Sequence, residues 1–345
     1  MTDPRSNSPL LEIEDLKVTF KLKEGFVRAV NGVSYTAHHR QVVGIVGESG
    51  CGKTVTAQAI MRILREPGEI TGGRIMFRSR QNNDQPLDMA TLNAQSKIAR
   101  KIRGGEICMI FQEPMSAFSP VHTIGNQIIE GIRIHRHMPK HQARDIAVDM
   151  LDRVGIPNPR SYLDAYSFQL SGGLCQRAMI AMALCTQPQL LIADEPTTAL
   201  DVTIQQQILR LILELRDEFG MAVLLITHDL GVVAETCEFV HVMYMGRIVE
   251  SGTVNQIFHN PLHPYTKALL DSIPRLTGPI SDRLTVIKGS VPDPYTQLPG
   301  CTFHPRCDAV IAGHCDAGDS PTLVEVETNH CVACHLYPMD QGGEK

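Results

Sequence analysis

Residues 47–54 read GESGCGKT. The run fits the phosphate-loop pattern G-x-x-x-x-G-K-[ST] in full, with Gly47, Gly52, Lys53 and Thr54 at the fixed positions. Its setting agrees with the pattern. QVVGIVG (41–47) is a short β-branched strand ending in glycine, and the next residues predict a helix from Lys53 to about Leu64 with Val55, Ala59, Ile60 and Ile63 on one face. Glycine lets successive backbone N–H groups turn inward around an oxyanion, and the helix start adds partial positive charge. Gly47, Glu48, Ser49, Gly50, Cys51 and Gly52 would cradle the phosphates of a nucleotide. Lys53 would reach the β- and γ-phosphates, and the Thr54 hydroxyl would ligate magnesium.

A second acidic element completes that chemistry. LLIADE (190–195) is an apolar strand delivering Asp194 at its C-terminal end, where an α/β sheet places ligands. Asp194 is suited to hold magnesium, and Glu195 to polarise an attacking water. Further strands are expected over 10–23, 30–35, 106–111 and 222–227, with a helix over 203–219 and mostly helix over 120–185, broken at Pro157 and Pro159. Alternation of this kind predicts an α/β fold with a parallel sheet covered on both faces. HVMYMGRIVESG (241–252) reads as a hairpin, after which the composition shifts to Pro, Gly, His and Cys, placing a boundary near residue 255.

LSGGLCQR (170–177) resembles the LSGGQ-x-QR signature of ATP-binding-cassette (ABC) ATPases, the nucleotide-hydrolysing subunits of ABC transporters. The other landmarks follow in the family's order over about residues 10–255. Gln112 in FQEP matches the loop that senses magnesium and the γ-phosphate, TTALD (197–201) the loop at the dimer interface with Asp201 as its acid, and His228 in LITHD the switch histidine. Leu174 departs from the usual glutamine of the signature, while Ser171, Gly172 and Gly173 remain. Phe20 fits best as the aromatic stacking on adenine, with Phe26 the alternative. The resemblance implies a P-loop NTPase with a RecA-like parallel sheet core, an antiparallel β subdomain, a helical signature subdomain at about 114–185 and a cysteine-rich C-terminal extension. It also implies two cassettes meeting head to tail, each ATP lying between one phosphate loop and the partner's signature. The second cassette would be a homologous subunit or a second copy of this chain. The helical subdomain would receive a coupling helix from one of two membrane permease subunits.

HPYTKALLDSIP (263–274) and PGCTFHPRC (299–307) resemble the C-terminal extension of the oligopeptide/dipeptide branch of importers. That branch implies an exported binding protein and peptide cargo, with nickel, opines, glutathione or oligosaccharides as alternatives. Of ten cysteines, Cys301, Cys307, Cys315, Cys331 and Cys334 crowd into the last 45 residues. Family members with the spacing of Cys301, Cys307, Cys315 and Cys334 hold a [4Fe–4S] cluster, and four thiolates in a loop-rich segment (285–340) suit such a cluster or zinc. Cys331 is left unligated in this reading, with an exchange for Cys334 open. His304, His314, His330 and His335 are possible zinc ligands, read first as polar surface. A cluster that gates the ATPase is a further reading, compatible with import.

Composition narrows the field. With 32 basic and 37 acidic residues and a formal charge of −5, the chain lacks the basic excess of a phosphate-contacting nucleic-acid binder. Aromatic residues make up 5% and Trp is absent, which argues against a stacking platform for single strands. A soluble ABC ATPase of DNA repair or translation fits poorly, because one cassette is present without a long coiled-coil insert. No stretch approaches the roughly 18–20 apolar residues of a membrane span, and the first residues lack a signal-peptide core. The expected location is peripheral, on the cytoplasmic face of the inner membrane.

Overall fold

The computed structural model describes residues 8–197, 201–272 and 287–337. In chain order its elements are β1 (Leu11–Leu22), β2 (Gly25–Ala37), β3 (Val42–Val46), α1 (Lys53–Met61), β4 (Gly68–Ser79), β5 (Gln85–Asp88), α2 (Lys97–Ile102) and β6 (Ile107–Ile110). Then come α3 (Pro114–Ala117), α4 (Ile124–Arg136), α5 (Lys140–Arg153), α6 (Pro159–Tyr162), α7 (Gly172–Leu184), β7 (Leu190–Asp194), α8 (Val202–Phe219) and β8 (Ala222–Thr227). The chain continues through α9 (Leu230–Thr236), β9 (Phe239–Tyr244), β10 (Arg247–Thr253), α10 (Val254–His259), α11 (Pro264–Asp271), β11 (Val324–Glu327) and β12 (His330–Val332).

Two sheets carry these elements. The larger has eight strands in the order β11-β12-β10-β9-β3-β8-β7-β6. Its β9-β3-β8-β7-β6 part is parallel, and β9 turns antiparallel into β10. Every residue of β3, β6, β7 and β8 is buried, which explains their unbroken apolar runs: a strand covered on both faces has no solvent side on which to alternate. The smaller sheet is antiparallel in the order β2-β1-β4-β5. In β1, Leu11, Ile13, Leu16 and Val18 are buried, and the alternation breaks between Ile13 and Leu16, where the register shifts and Asp15 adopts a φ of 45°.

Helices α3 to α7 form one packed body between β6 and β7. Ile124, Ile128, Ile129 and Ile132 of α4 recur at helical spacing and pack with Met150 and Leu151 of α5 and Cys175 and Met179 of α7. The break expected near Pro157 and Pro159 is the short link in which Pro159 opens α6. Helix α1 stops at Met61, short of the expected Leu64, because Arg62 takes a left-handed cap with φ 56°.

The expected division near residue 255 falls just after β10. The chain beyond it shares its core with the cassette. Cys301, Phe303, Cys315 and Tyr265 join one apolar cluster with Val46, Val240, Val242 and Tyr244. Strand β12 pairs with β10 through Glu250↔Val332 and Ser251↔Cys331. His330, read from sequence as polar surface, is fully buried, with Nε2 2.9 Å from Glu250 Oε1. The same Glu250 carboxylate accepts the Leu262 and His263 N–H groups. A carboxylate removed from water must be satisfied on several sides, so this triple attachment fixes where the extension lies.

Candidate functional site: a phosphate loop facing an acidic cluster

The candidate site lies where β3, β6, β7 and β8 end. Each strand hands over one piece: the phosphate loop after β3, Gln112 after β6, Asp194 and Glu195 at β7, His228 after β8. Parallel strands bring their carboxyl ends to one edge, which is why residues distant in sequence converge there.

Glycine is obligatory in the loop. Gly47 and Gly52 hold φ of 152° and 105°, and a Cβ on either would lie 2.2 Å from a carbonyl oxygen, of Met243 and Ala29 respectively. The loop therefore presses against β9 and β2 closely enough to present its amides inward. Lys53 is buried, and its Nζ donates to the carbonyls of Gly47 at 2.7 Å and Glu48 at 3.0 Å. Ser49 and Gly50 are exposed, and Cys51 is buried with its thiol pushed up by burial.

Thr54 Oγ1 donates to Asp194 Oδ1 at 3.2 Å. Asp194 is 2% exposed; burial pushes its carboxyl up, opposed by the Thr54 hydrogen bond and the Lys53 charge. A buried carboxylate beside a hydroxyl is a hard oxygen pair that fits magnesium, which keeps its remaining ligands as water and phosphate. Glu195 sits one residue past the strand with φ 47°, and its N–H is held by the Ile226 carbonyl at 2.8 Å. Gln112 Nε2 donates to its Oε2 at 3.0 Å, and His228 Nδ1 lies 3.2 Å from its Oε1. The structure thus pairs Thr54 with Asp194, and Gln112 and His228 with Glu195, at adjacent residues of one strand end.

Ser171 and Asp201 stand apart from it. Ser171 Oγ caps α7 by accepting from Leu174 N, and Asp201 Oδ1 caps α8 by accepting from Ile204 N at 3.0 Å. Gly172 and Gly173 open α7, whose N-terminus is exposed around Ser171, and a side chain on Gly172 would meet nothing within 4 Å. Thr198, Ala199 and Leu200 of TTALD lie outside the described residues. Phe20 is partly buried, its ring so close over Gly68 that a Cβ there would lie 2.6 Å away, whereas Phe26 is exposed.

The five clustered cysteines all lie among the described residues. Cys301, Cys307 and Cys334 are pushed up mainly by burial and further by their neighbouring cysteines, Cys315 among them, and Cys301 reaches about 11. Cys331 is pushed up by burial and by the Glu325 charge, opposed by its hydrogen bond with Ser251. Yet among the described residues no three His, Cys, Asp or Glu side chains gather closely enough to hold a metal ion. Cys301 and Cys315 pack in one apolar cluster with Cys307 against it, and Cys334 packs in another with Leu262 and Val332. Sequence reasoning also missed Tyr265 and Arg306, which bind the phosphate loop from the extension; HPYTKALL and FHPRC carried them, but nothing local pointed at residue 48.

Comparison with known proteins agrees with this geometry. Residues 30–198 match the family described as ABC transporter, and residues 249–315 the oligopeptide/dipeptide transporter C-terminal region. A Sinorhizobium fredii protein named a probable peptide ABC transporter ATP-binding protein is 47% identical over 94% of each chain. A Brucella abortus protein named a peptide import ATP-binding protein is 47% identical over 95% of this chain and 97% of its own. Among solved structures, the dimeric ATP-binding cassette MJ0796 bound to ADP and Pi shares the fold with a TM-score of 0.62 at 24% identity, over 71% of this chain and 98% of its own. Clostridium perfringens cbiO1, part of an ABC transporter complex, superposes with a TM-score of 0.58 at 26% identity, over 74% and 92%. Phosphate loop, acidic strand, signature helix and C-terminal region all stand in one chain, and that chain belongs to the ABC transporter family as an ATPase subunit carrying the oligopeptide/dipeptide transporter C-terminal region.

Proposed function

We propose that residues 10–255 form the ATPase cassette of a peptide importer and that 256–345 form an extension serving it. The observation carrying this reading is the convergence of Thr54, Asp194, Gln112, Glu195 and His228 in front of the phosphate loop. In the proposed cycle ATP would lie on residues 47–54 with adenine against Phe20, and Thr54, Asp194 and Gln112 would hold the magnesium that neutralises its phosphate charge. Glu195 takes a proton from water as the water oxygen bonds the γ-phosphorus and the bridging phosphorus–oxygen bond breaks, releasing ADP and phosphate. Gln112 and His228, both bonded to Glu195, orient that carboxylate and sense the γ-phosphate.

A second cassette supplies Ser171, Gly172 and Gly173 to the same ATP. This agrees with the exposed start of α7 and with the dimeric form of the MJ0796 cassette. The helical body is the proposed permease dock: Met115, Val121 and Phe168 are 46%, 74% and 62% exposed, in segments next in sequence to the Gln112 loop and the signature. No helix among the described residues is long and apolar enough to cross a membrane, which accords with a peripheral subunit on the cytoplasmic face of two permeases. Peptide is the cargo favoured by the relatives' names, delivered by an exported binding protein. Cys301, Cys307, Cys315 and Cys334 are proposed to take a [4Fe–4S] cluster, with zinc as the alternative, supported by their crowding into one segment of the extension and by the burial of Cys301, Cys315 and Cys334.

The test is reconstitution of this chain with its permeases and binding protein in liposomes. Peptide uptake should require ATP and this chain, and peptide-loaded binding protein should raise hydrolysis. Uptake that persists with this chain omitted would remove it from the transporter.

A further inference from the structure

Every polar group of Glu48, the second residue of the phosphate loop, is engaged. Its carboxylate accepts from Arg306 Nη1 at 2.6 Å and Nη2 at 3.0 Å. Its N–H donates to the Tyr265 hydroxyl at 2.9 Å. Its carbonyl accepts from Lys53 Nζ at 3.0 Å and from Cys51 N at 3.3 Å. The two outside partners are firmly seated. The Arg306 side chain is 3% exposed, donates from Nε to the Lys288 carbonyl at 3.0 Å, and lies 5.7 Å and 5.9 Å from the Tyr244 and Phe303 ring centroids. Tyr265 is fully buried, with its ring 4.7 Å from Tyr244 and 5.3 Å from Phe303. Both come from the C-terminal extension, 258 and 217 residues along the chain from Glu48.

We propose that Arg306 and Tyr265 are positioning residues for nucleotide binding, through which the extension sets the charge and shape of the phosphate loop. This rests on reading residues 47–54 as the triphosphate site. ATP brings several negative charges to a loop that already carries a carboxylate, and in a partly desolvated place that repulsion is strong. The bidentate guanidinium neutralises it in a fixed geometry. Tyr265 takes the Glu48 amide away from the ligand and fixes the plane of that peptide. The amides that follow are then aimed inward before ATP arrives, so less ordering remains to oppose binding. Because the Glu48 carbonyl also holds Lys53, one hydrogen-bonded chain runs from Arg306 to the phosphate-reading lysine.

The experiment is a mutant cycle on the full-length chain, reading affinity for a fluorescent, non-hydrolysable ATP analogue with magnesium, and KM and kcat for ATP. Arg306→Ala should weaken binding about tenfold or more, the scale of one charge-assisted hydrogen bond. Arg306→Lys should fall between, since it keeps charge and loses the fork. In a Glu48→Gln background the same Arg306→Ala change should cost little, because no carboxylate is left unpaired. Tyr265→Phe keeps the ring packing, removes only the bond to Glu48, and should weaken binding severalfold. For Arg306→Ala, Arg306→Lys and Tyr265→Phe the loss should appear in KM rather than in kcat at saturating ATP. An Arg306→Ala loss that is the same with and without the Glu48→Gln change would show a merely structural role and overturn the proposal. So would unchanged affinity in Arg306→Lys and Tyr265→Phe, which decide the matter should Arg306→Ala fail to fold. Lys53→Ala separates the two levels: if it binds ATP like the unaltered chain, the triphosphate reading itself fails.

Discussion

Glu195 shows what a single residue spends to be useful. A φ of 47° is sparsely populated for a residue with a Cβ, and such strain costs on the order of 1–3 kcal/mol. It persists because the Ile226 carbonyl holds the Glu195 N–H while Gln112 and His228 hold the carboxylate. Turning the chain out of the strand there points Asp194 and Glu195 different ways. Asp194 faces Thr54, and Glu195 faces Gln112 and His228. Glu195→Gln keeps the shape and the hydrogen-bonding reach but cannot accept a proton from water. ATP binding should stay within a few-fold, and single-turnover hydrolysis should slow about 100-fold or more. Lys53→Ala should do the opposite, weakening ATP binding first. Hydrolysis by Glu195→Gln at an undiminished rate would take Glu195 out of the proton-accepting role.

At the scale of elements, β9 carries an unusual passenger. His241 is buried between the rings of Tyr35 and Phe239, at centroid distances of 5.0 Å and 5.2 Å. Neither ring nitrogen has a partner among the described residues, and burial pushes its pKa down to about 3. Between pH 6.5 and about 3 the unfolded chain takes a proton that the folded one refuses. Stability is therefore fully present above the ordinary histidine range and falls as pH drops through that window. His263, pushed down to about 3 for the same reason, adds to the trend, but its Nδ1 accepts the Tyr265 N–H and caps α11, so it is the poorer target. His241→Phe should remove about 2 kcal/mol of the stability otherwise lost between pH 7 and 5, read from urea unfolding at each pH. Parallel pH profiles for the two proteins would show that His241 is not the titrating group.

Across the whole molecule the extension is stitched to the cassette at three places: β12 on β10, His330 on Glu250, and Arg306 with Tyr265 on Glu48. The cysteines lie among these attachments, with Cys307 next to Arg306 and Cys331 on β12. A metal group there would bind a segment whose own core is borrowed from the cassette, adding closure that its few apolar residues cannot supply. Protein purified without oxygen should be brown, with about four irons per chain, as a tetrathiolate [4Fe–4S] centre requires. Serine at Cys301, Cys307, Cys315 or Cys334 should bleach it, and serine at Cys331 should not. A colourless protein holding one tight zinc would replace the cluster with a zinc site, and bleaching by Cys331→Ser alone would move the fourth ligand.

Much of this protein was decided locally. A phosphate loop needs glycines, a lysine and a hydroxyl at fixed spacing on one turn, so GESGCGKT is legible without the fold, as are the buried strands β3, β7 and β8 and the signature helix α7. The antiparallel strands β4 and β5 and helix α2 went unread, since their polar, half-exposed faces show no strong period and β5 gains its register only from β4. Residue pairs far apart in the chain belonged to tertiary structure alone. Nothing in FHPRC names Glu48 as the partner of Arg306, and nothing around His330 shows that it is buried on Glu250. A charge pair depends on which surfaces the packed core brings face to face, and that core includes strands contributed from both ends of the sequence.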